Sequence, residues 1–284
     1  MKIVIGKYAG FCPGVLNSVT KASEVTDNNK EVYCLGELIH NQTVIKELEY
    51  KGMITIESLD EVPNGKIVLF RAHGVKESIY KEAKEKDLNV IDLTCAIVKS
   101  IHNKVSEAKK DSFVVIIGDK KHPENIGTKD FAGTNSMVIS LEEEIDFLYE
   151  EVLKTNLKKV YVVSQTTFNL KKFEELSLLL KDKFKDFDLK IDNTICKATE
   201  LRQKEVEDLS KDNDVVIVVG GKNSSNTKKL YDISSKNCKR VYHIENVLEL
   251  ENEGFGDELN IAIVAGASTP KKIINDVKEY LENK

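Results

Sequence analysis

Three cysteines stand at matching points of a repeated stretch, and thiols so arranged can hold a metal. Cys12, Cys95 and Cys196 each follow a short apolar segment (KIVIG, NVID, DLKID) and precede a helix-like run. A polar residue follows each after 28, 27 and 28 residues, at His40, His122 and Ser224. A second polar set comes at His73, Thr166 and Ser268, and the last two copies share a spacing of 44 residues. One thiol and two polar tips per copy describe three modules built around one site, and an internal repeat of this kind organises a whole chain. At a helix start, unpaired N–H groups and the helix dipole stabilise a thiolate, which favours metal binding. Cys34, inside an apolar strand, and Cys238, in a polar turn, fall outside the repeat and read as structural.

Three thiolates leave two metals open. Zinc with three cysteines and a vacant fourth position is one. The other is a cubane iron–sulfur cluster, which normally takes four cysteines. With three, one iron is left for an outside ligand, and the cluster becomes a Lewis acid rather than an electron relay. The wide separation of the cysteines disfavours a structural zinc, whereas a catalytic zinc stays open.

Around the thiols lie groups suited to phosphate and to protons. His40, His73 and His122 each follow a strand-like run and could bind phosphate or relay protons. His102 and His243 lie outside the pattern. His122-Pro123-Glu124 sets a carboxylate two residues from a histidine, and a pocket glutamate with a raised pKa is a natural general acid. The loop Gly220-Gly221-Lys222-Asn223-Ser224-Ser225-Asn226 enters a helix, offering backbone N–H groups, two hydroxyls and an amide to a phosphate. It has neither GxxxxGK[ST] nor GxGxxG spacing. Gly266-Ala267-Ser268-Thr269-Pro270 is a second small anion loop.

These groups need a scaffold. Apolar, β-branched runs at 2–6, 31–36, 66–70, 89–93, 113–118, 160–164, 214–220 and 261–266 suit strands buried on both faces of a parallel sheet. Between them, apolar residues at three- and four-residue spacing predict helices over 43–49, 76–85, 97–109, 173–185, 201–210 and 273–281. The alternation predicts α/β architecture: three pseudo-threefold-related modules with mostly parallel sheets around a central cavity. Their bounds are expected at 13–95, 96–194 and 195–284, the last completed by the N-terminal strand within 1–12. That strand therefore pairs with the last module. Every polar cluster follows a strand, and α/β sheets bind ligands beyond the carboxyl ends of their strands.

The bulk numbers exclude several classes. The 284 residues carry a formal net charge of −5, which gives no electrostatic footprint for nucleic acid. No apolar run reaches the roughly 20 residues of a membrane span, and residues 1–15 lack a signal-peptide core. A cytoplasmic protein is expected, and there reduced thiols read as ligands or catalytic groups rather than disulfides.

The motifs together resemble the 4-hydroxy-3-methylbut-2-enyl diphosphate reductase family across essentially the whole chain. They are GFC at 10–12, HN at 40–41, AHGV at 72–75, TC at 94–95, HPE at 122–124, QTT at 165–167, the cysteine of NTIC at 193–196, GGKNSSN at 220–226 and GAST at 266–269. The resemblance implies a [4Fe-4S] cluster on Cys12, Cys95 and Cys196, with the fourth iron taking the substrate hydroxyl. It also implies diphosphate binding by His40, His73, Ser224, Asn226 and Ser268, with Ser225 and His122 beside them. Glu124 would deliver protons while Thr166 positions the hydroxyl. Electrons from ferredoxin or flavodoxin would then yield isopentenyl and dimethylallyl diphosphates, the last step of the methylerythritol phosphate route. The chain departs from the family pattern after Cys12, where Pro13 leads into Leu16-Asn17, and after Cys95, where Ala96 replaces the usual proline. A zinc-dependent hydrolase of a small phosphorylated substrate is the alternative enzyme, and a non-catalytic phosphometabolite sensor is the alternative outside catalysis.

Overall fold

The computed structural model describes residues 2–251, 253–256 and 259–283, whose strands form three parallel four-stranded sheets. One contains β2 (Val32–Leu35), β3 (Met53–Ile56), β4 (Ile67–Phe70) and β5 (Asn89–Asp92), in the order β3-β2-β4-β5. The next contains β6 (Ser112–Ile117), β7 (Ser136–Ile139), β8 (Lys159–Ser164) and β9 (Asp188–Ile191), in the order β7-β6-β8-β9. The last joins β10 (Val215–Val219), β11 (Arg240–Ile244) and β12 (Asn260–Ala265) to the N-terminal β1 (Lys2–Ile5), in the order β11-β10-β12-β1. All three orders are one topology. The register Lys2↔Asn260 to Ile5↔Ile263 puts β1 in the place that β5 and β9 hold in the other two sheets.

Burial on both faces explains why the inner strands read as unbroken apolar runs. Along β6, Phe113, Val115 and Ile117 join one core cluster, and Val114 and Ile116 join another. Likewise Val215, Ile217 and Val219 of β10 face one cluster while Val216 and Val218 face the second. The helices covering these faces are α1 (Pro13–Asn28), α2 (Gln42–Tyr50), α3 (Glu77–Glu85), α4 (Ala96–Ala108) and α5 (Pro123–Ala132). They continue with α6 (Glu144–Leu153), α7 (Leu170–Lys183), α8 (Lys197–Asp212), α9 (Ser225–Asn237) and α10 (Lys271–Glu282). The segment DLKID before Cys196 forms β9 as its place in the repeat predicts, whereas the expected strands omit β3, β7 and β11, all at sheet edges. An edge strand is wetter: β9 alternates exposed and half-buried residues, and β11 is only half-buried over most of its length.

By packing density the chain groups into two compact units. One comprises Ser18–Leu38 and Lys51–Cys196 and holds the first two sheets. The smaller comprises Met1–Asn17, Ile39–Tyr50 and Lys197–Lys284 and holds the third sheet with α2.

Repeated hydrogen bonds give the register between copies. Gly36, Gly118 and Gly220, each just past a central strand, donate to Ile56, Ile139 and Ile244, each bond 2.8 Å long. Four residues on from those glycines stand His40, His122 and Ser224, as the spacing predicts. The second polar set needs a correction. The Cys12, Cys95 and Cys196 N–H groups donate to the carbonyls of Ala267, Ala72 and Thr166 at 3.1, 3.0 and 2.9 Å. Thr166 therefore matches Ala72 and Ala267, and the partner of His73 and Ser268 is Thr167. The expected alignment is one residue off because the stretch from β6 to β8 is one residue longer than that from β10 to β12: Ile117 pairs with Ser164, 47 residues on, and Val219 with Ala265, 46 on.

Candidate active site

Each cysteine of the repeat immediately precedes a helix: α1 opens at Pro13, α4 at Ala96 and α8 at Lys197. None of the three is in a disulfide, and all are half-buried. The Cys12 sulfur accepts a hydrogen bond from the Val15 N–H at 3.5 Å, so the thiol itself caps the first turn of α1. Pro13 fits there because a first-turn residue needs no donor. Cys95 occupies the N-cap of α4 without a side-chain cap bond. Soft sulfur donors at three helix starts suit iron or zinc. The two remaining cysteines differ. Burial pushes the Cys34 thiol up to about 12, against the opposing pull of Arg71, so it stays protonated. Cys238 is buried with its sulfur 3.4 to 3.5 Å from the carbonyls of Asn213, Asp214 and Arg240.

In the larger unit, α5 starts where β6 ends, and its first turn carries the acid chemistry. His122 is the N-cap, and its Nδ1 accepts the Glu124 N–H at 3.2 Å. In the neutral ring that bond puts the proton on Nε2. The His73 ring meets the His122 ring edge-on, with centroids 5.5 Å apart. Glu124 is 2 % exposed, and both its oxygens are taken by one residue. The Thr166 N–H donates to Oε1 at 2.6 Å, and the Thr166 hydroxyl donates to Oε2 at 2.6 Å. Burial raises the Glu124 pKa to about 7, and the two Thr166 bonds only partly offset it. A carboxyl poised near neutrality with a hydroxyl in contact can take up and pass on a proton.

Behind this pair stands a support that the sequence reading left out. Gln165 Oε1 accepts the Asp119 N–H at 3.0 Å and the Asn125 amide at 2.9 Å. Asn125 also donates to the Asp119 carbonyl at 2.8 Å. The loop after β6 and the loop after β8 are thus tied together, which holds Glu124 against Thr166. Gln165 lies inside the QTT motif, so the motif itself was the only available signal for it.

In the smaller unit, the loop after β10 leads into the N-terminus of α9. Ser224 caps α9, its Oγ accepting the Thr227 N–H at 3.3 Å. Ser225 is the first residue of that helix, and Asn226 follows, 4 % exposed. Both amide atoms of Asn226 are buried without a hydrogen-bond partner among the described residues. An unsatisfied buried amide costs about 1–3 kcal/mol unless something else pairs with it, so this is a place for a ligand. Ser268 donates to the His40 carbonyl at 3.2 Å, which ties the segment bearing His40 to the loop after β12. A Cβ on Gly221 would stand 2.6 Å from that same carbonyl oxygen, so only glycine permits the approach. Thr227, fully buried behind the loop, is a further residue that the sequence reading passed over. Ser224, Ser225, Asn226, Ser268 and His40 thus gather in this unit, while His73, His122, Glu124 and Thr166 belong to the larger one.

The remaining histidines keep their structural reading. His102 stacks on Phe131 with centroids 4.2 Å apart, and burial lowers its pKa to about 4. His243 is hydrogen-bonded to the Gly220 carbonyl at 3.0 Å. Among the described residues, no helix is long and apolar enough to cross a membrane.

Comparison with known proteins covers the whole chain. A 4-hydroxy-3-methylbut-2-enyl diphosphate reductase of Clostridioides difficile (strain 630) is 39% identical over 285 residues, spanning 100% of both chains. The protein of that name from Caldanaerobacter subterraneus subsp. tengcongensis is 40% identical over 288 residues, covering 100% of this chain and 97% of its own. Among solved structures, the E-1-hydroxy-2-methyl-but-2-enyl-4-diphosphate reductase of Plasmodium falciparum matches with a TM-score of 0.89 and 31% identity, over 99% of this chain and 87% of that one. A structure described as (E)-4-hydroxy-3-methyl-but-2-enyl diphosphate reductase, the terminal enzyme of the non-mevalonate pathway, matches with a TM-score of 0.71 and 36% identity over 100% of both chains. With the family profile described as LytB protein matching residues 3–282, the chain belongs to the LytB family.

Proposed function

We propose that this chain reductively removes the hydroxyl of (E)-4-hydroxy-3-methylbut-2-enyl diphosphate, giving isopentenyl and dimethylallyl diphosphates. Two electrons and two protons enter, and water and one of the two isomeric products leave in each turnover. The observation that carries this reading is the buried Glu124 carboxyl, poised near pH 7 and held at both oxygens by Thr166. Reductase names attach to the full-length relatives, which favours reduction over zinc-dependent hydrolysis.

Cys12, Cys95 and Cys196 hold the cofactor in this reading, and three thiols outside any disulfide, each at a helix start, fit it. A [4Fe-4S] cluster bound there would supply electrons one at a time and a Lewis-acidic iron for the substrate oxygen. The other residues bind and protonate. His40, His73, Ser224, Asn226 and Ser268 receive the diphosphate, assisted by Ser225 and His122. The unsatisfied Asn226 amide and the N-terminus of α9 are what a phosphate oxygen needs. Protonated Glu124 gives its proton to the Thr166 hydroxyl, whose own proton passes to the departing oxygen. Exclusion of water around Glu124, itself 2 % exposed, keeps that proton from exchanging freely during turnover. Fixing the diphosphate sets the reacting carbon relative to these groups, and such positioning is itself worth several kcal/mol of barrier.

Ferredoxin or flavodoxin is the proposed electron donor, in a cytoplasmic setting. The reading keeps three modules as proposed from the repeat, 13–95, 96–194 and 195–284, the last with residues 1–12. The test is an anaerobic assay with the hydroxylated diphosphate and dithionite-reduced mediator. Brown protein that releases both isoprenoid diphosphates is the expected result. A colourless, zinc-loaded sample that instead cleaves phosphate would sink the proposal.

A further inference from the structure

We infer that Arg202 and Glu205 of α8 are positioning residues for Cys12, gripping the backbone of the loop that carries this thiol. The inference rests on the cofactor reading above and deepens it. Between the end of β1 at Ile5 and the start of α1 at Pro13, the chain runs without regular structure and must find its hydrogen bonds elsewhere. Glu205 supplies two of them. Its Oε1 accepts the Lys7 N–H at 2.6 Å and its Oε2 accepts the Tyr8 N–H at 3.0 Å. Arg202 supplies a third, donating from one terminal nitrogen to the Gly10 carbonyl at 2.6 Å. Its other terminal nitrogen donates to the Ala198 carbonyl at 2.9 Å, which fixes the guanidinium to the first turn of its own helix.

Residues three apart on a helix share a face, so Arg202 and Glu205 reach the loop together. Arg202 is 5 % exposed, so its bond to Gly10 is made with little competition from water. Gly6 marks how closely the carboxylate approaches: a Cβ there would stand 2.8 Å from Glu205 Oε2. Both grips use an ionised side chain against a backbone dipole, which is the stronger class of hydrogen bond. Two residues beyond Gly10 stands Cys12, whose own N–H is held by the Ala267 carbonyl.

The other two cysteine loops are held by different residues. In the Cys95 loop the Thr94 N–H donates locally to Asp92 Oδ1 at 3.0 Å, and the Ser18 hydroxyl of α1 donates to the Leu93 carbonyl at 2.8 Å. The Cys196 loop is closed by Asn193, whose Oδ1 accepts the Ile195 N–H at 3.0 Å, and by the Thr194–Ser164 bonds. The Cys12 loop, the longest of the three, is the one that Arg202 and Glu205 hold at three backbone groups, and their helix begins one residue after Cys196.

The test uses the full chain, with Arg202→Met, Glu205→Gln and Arg202→Lys. Iron and sulfide per chain, together with the electron paramagnetic resonance signal of the reduced protein, are measured after anaerobic reconstitution. In metal-free samples, iodoacetamide labelling of each cysteine is timed by mass spectrometry. Loss of a charge-assisted bond predicts roughly tenfold faster labelling at Cys12, with Cys95 and Cys196 unchanged. Cluster content should fall in Arg202→Met and Glu205→Gln, and Arg202→Lys should recover part of both signals. General destabilisation would speed all three cysteines alike and would overturn the inference. So would unchanged Cys12 labelling in Glu205→Gln, the milder variant, should Arg202→Met not fold. If wild-type protein binds no iron, the cofactor reading fails, while selective Cys12 labelling still decides whether the grip exists.

Discussion

The Glu124–Thr166 pair and the Asn226 amide are both buried and polar, yet they meet the cost of burial in opposite ways. Glu124 has each oxygen paired with one residue of its own unit, and the remaining penalty appears as a pKa raised to about 7. Asn226 has neither amide atom paired among the described residues. The first arrangement keeps a movable proton in place without any ligand. The second gains its partners only when something polar arrives. A reaction that needs both a proton donor and an anchored anion is served by this division of labour, because chemistry and binding rest on different solutions to one physical problem.

Substitutions can separate the two. Glu124→Gln keeps an acceptor for the Thr166 N–H but cannot deliver a proton at neutral pH. Its kcat should fall by about 10²- to 10⁴-fold with KM little changed, as steady-state anaerobic kinetics would read. Equal losses in kcat and in substrate affinity would erase the contrast. Asn226→Leu should do the reverse, raising KM roughly tenfold or more with kcat less affected. Because no protein partner is lost, the melting temperature of the unliganded variant should hold or rise, and a clear drop in calorimetry would show that the amide was satisfied after all.

A pH series sharpens the same contrast. The proton donor must be protonated, so kcat should decline as pH rises through about 7, and Glu124→Gln should lose that limb. Stability should follow the same sign. A raised carboxyl pKa means the fold disfavours the ionised form, so stability falls from the ordinary carboxylate range up to about pH 7 and then levels. Thr166→Val removes one donor to the carboxylate while the backbone N–H remains. The pKa of Glu124 should climb further, moving the kinetic limb to higher pH; a limb that moves downward would contradict the assigned bond. The smallest effect belongs to Cys34→Ala, whose thiol is already protonated and buried. Iron content and turnover should match wild type.

Much of this architecture is legible in the chain itself, for a physical reason. Inner strands such as Phe113–Ile117 and Val215–Val219 are apolar on both faces, so their runs stand out without help from tertiary context. The edge strands β9 and β11 are partly solvated and carry Lys190 and Arg240, which blurs the pattern. The Cys12, Cys95 and Cys196 positions are readable because each must sit between a strand and a helix, a relation that spacing preserves. Thr166 is readable as a polar tip but not in register, since the alignment depends on which carbonyl the cysteine N–H finds. Gln165 shows only as part of the QTT motif, without its role, and Asn125, Arg202 and Glu205 escape altogether. They act through side-chain bonds to loops far away in sequence, and in a charged stretch such as LRQKEVED nothing distinguishes a gripping residue from a solvated one.

Strand β1 lies beside β12, although paired positions such as Lys2 and Asn260 are 258 residues apart. During synthesis the first strand made therefore waits for the last one to emerge from the ribosome before either has its neighbour. Until then the segment leading to Cys12 has no backbone to lean on, so maturation of the thiol centre is postponed to the end of translation. Deleting β12 should accordingly disarm a cysteine at the opposite end of the polypeptide while the first two sheets still form.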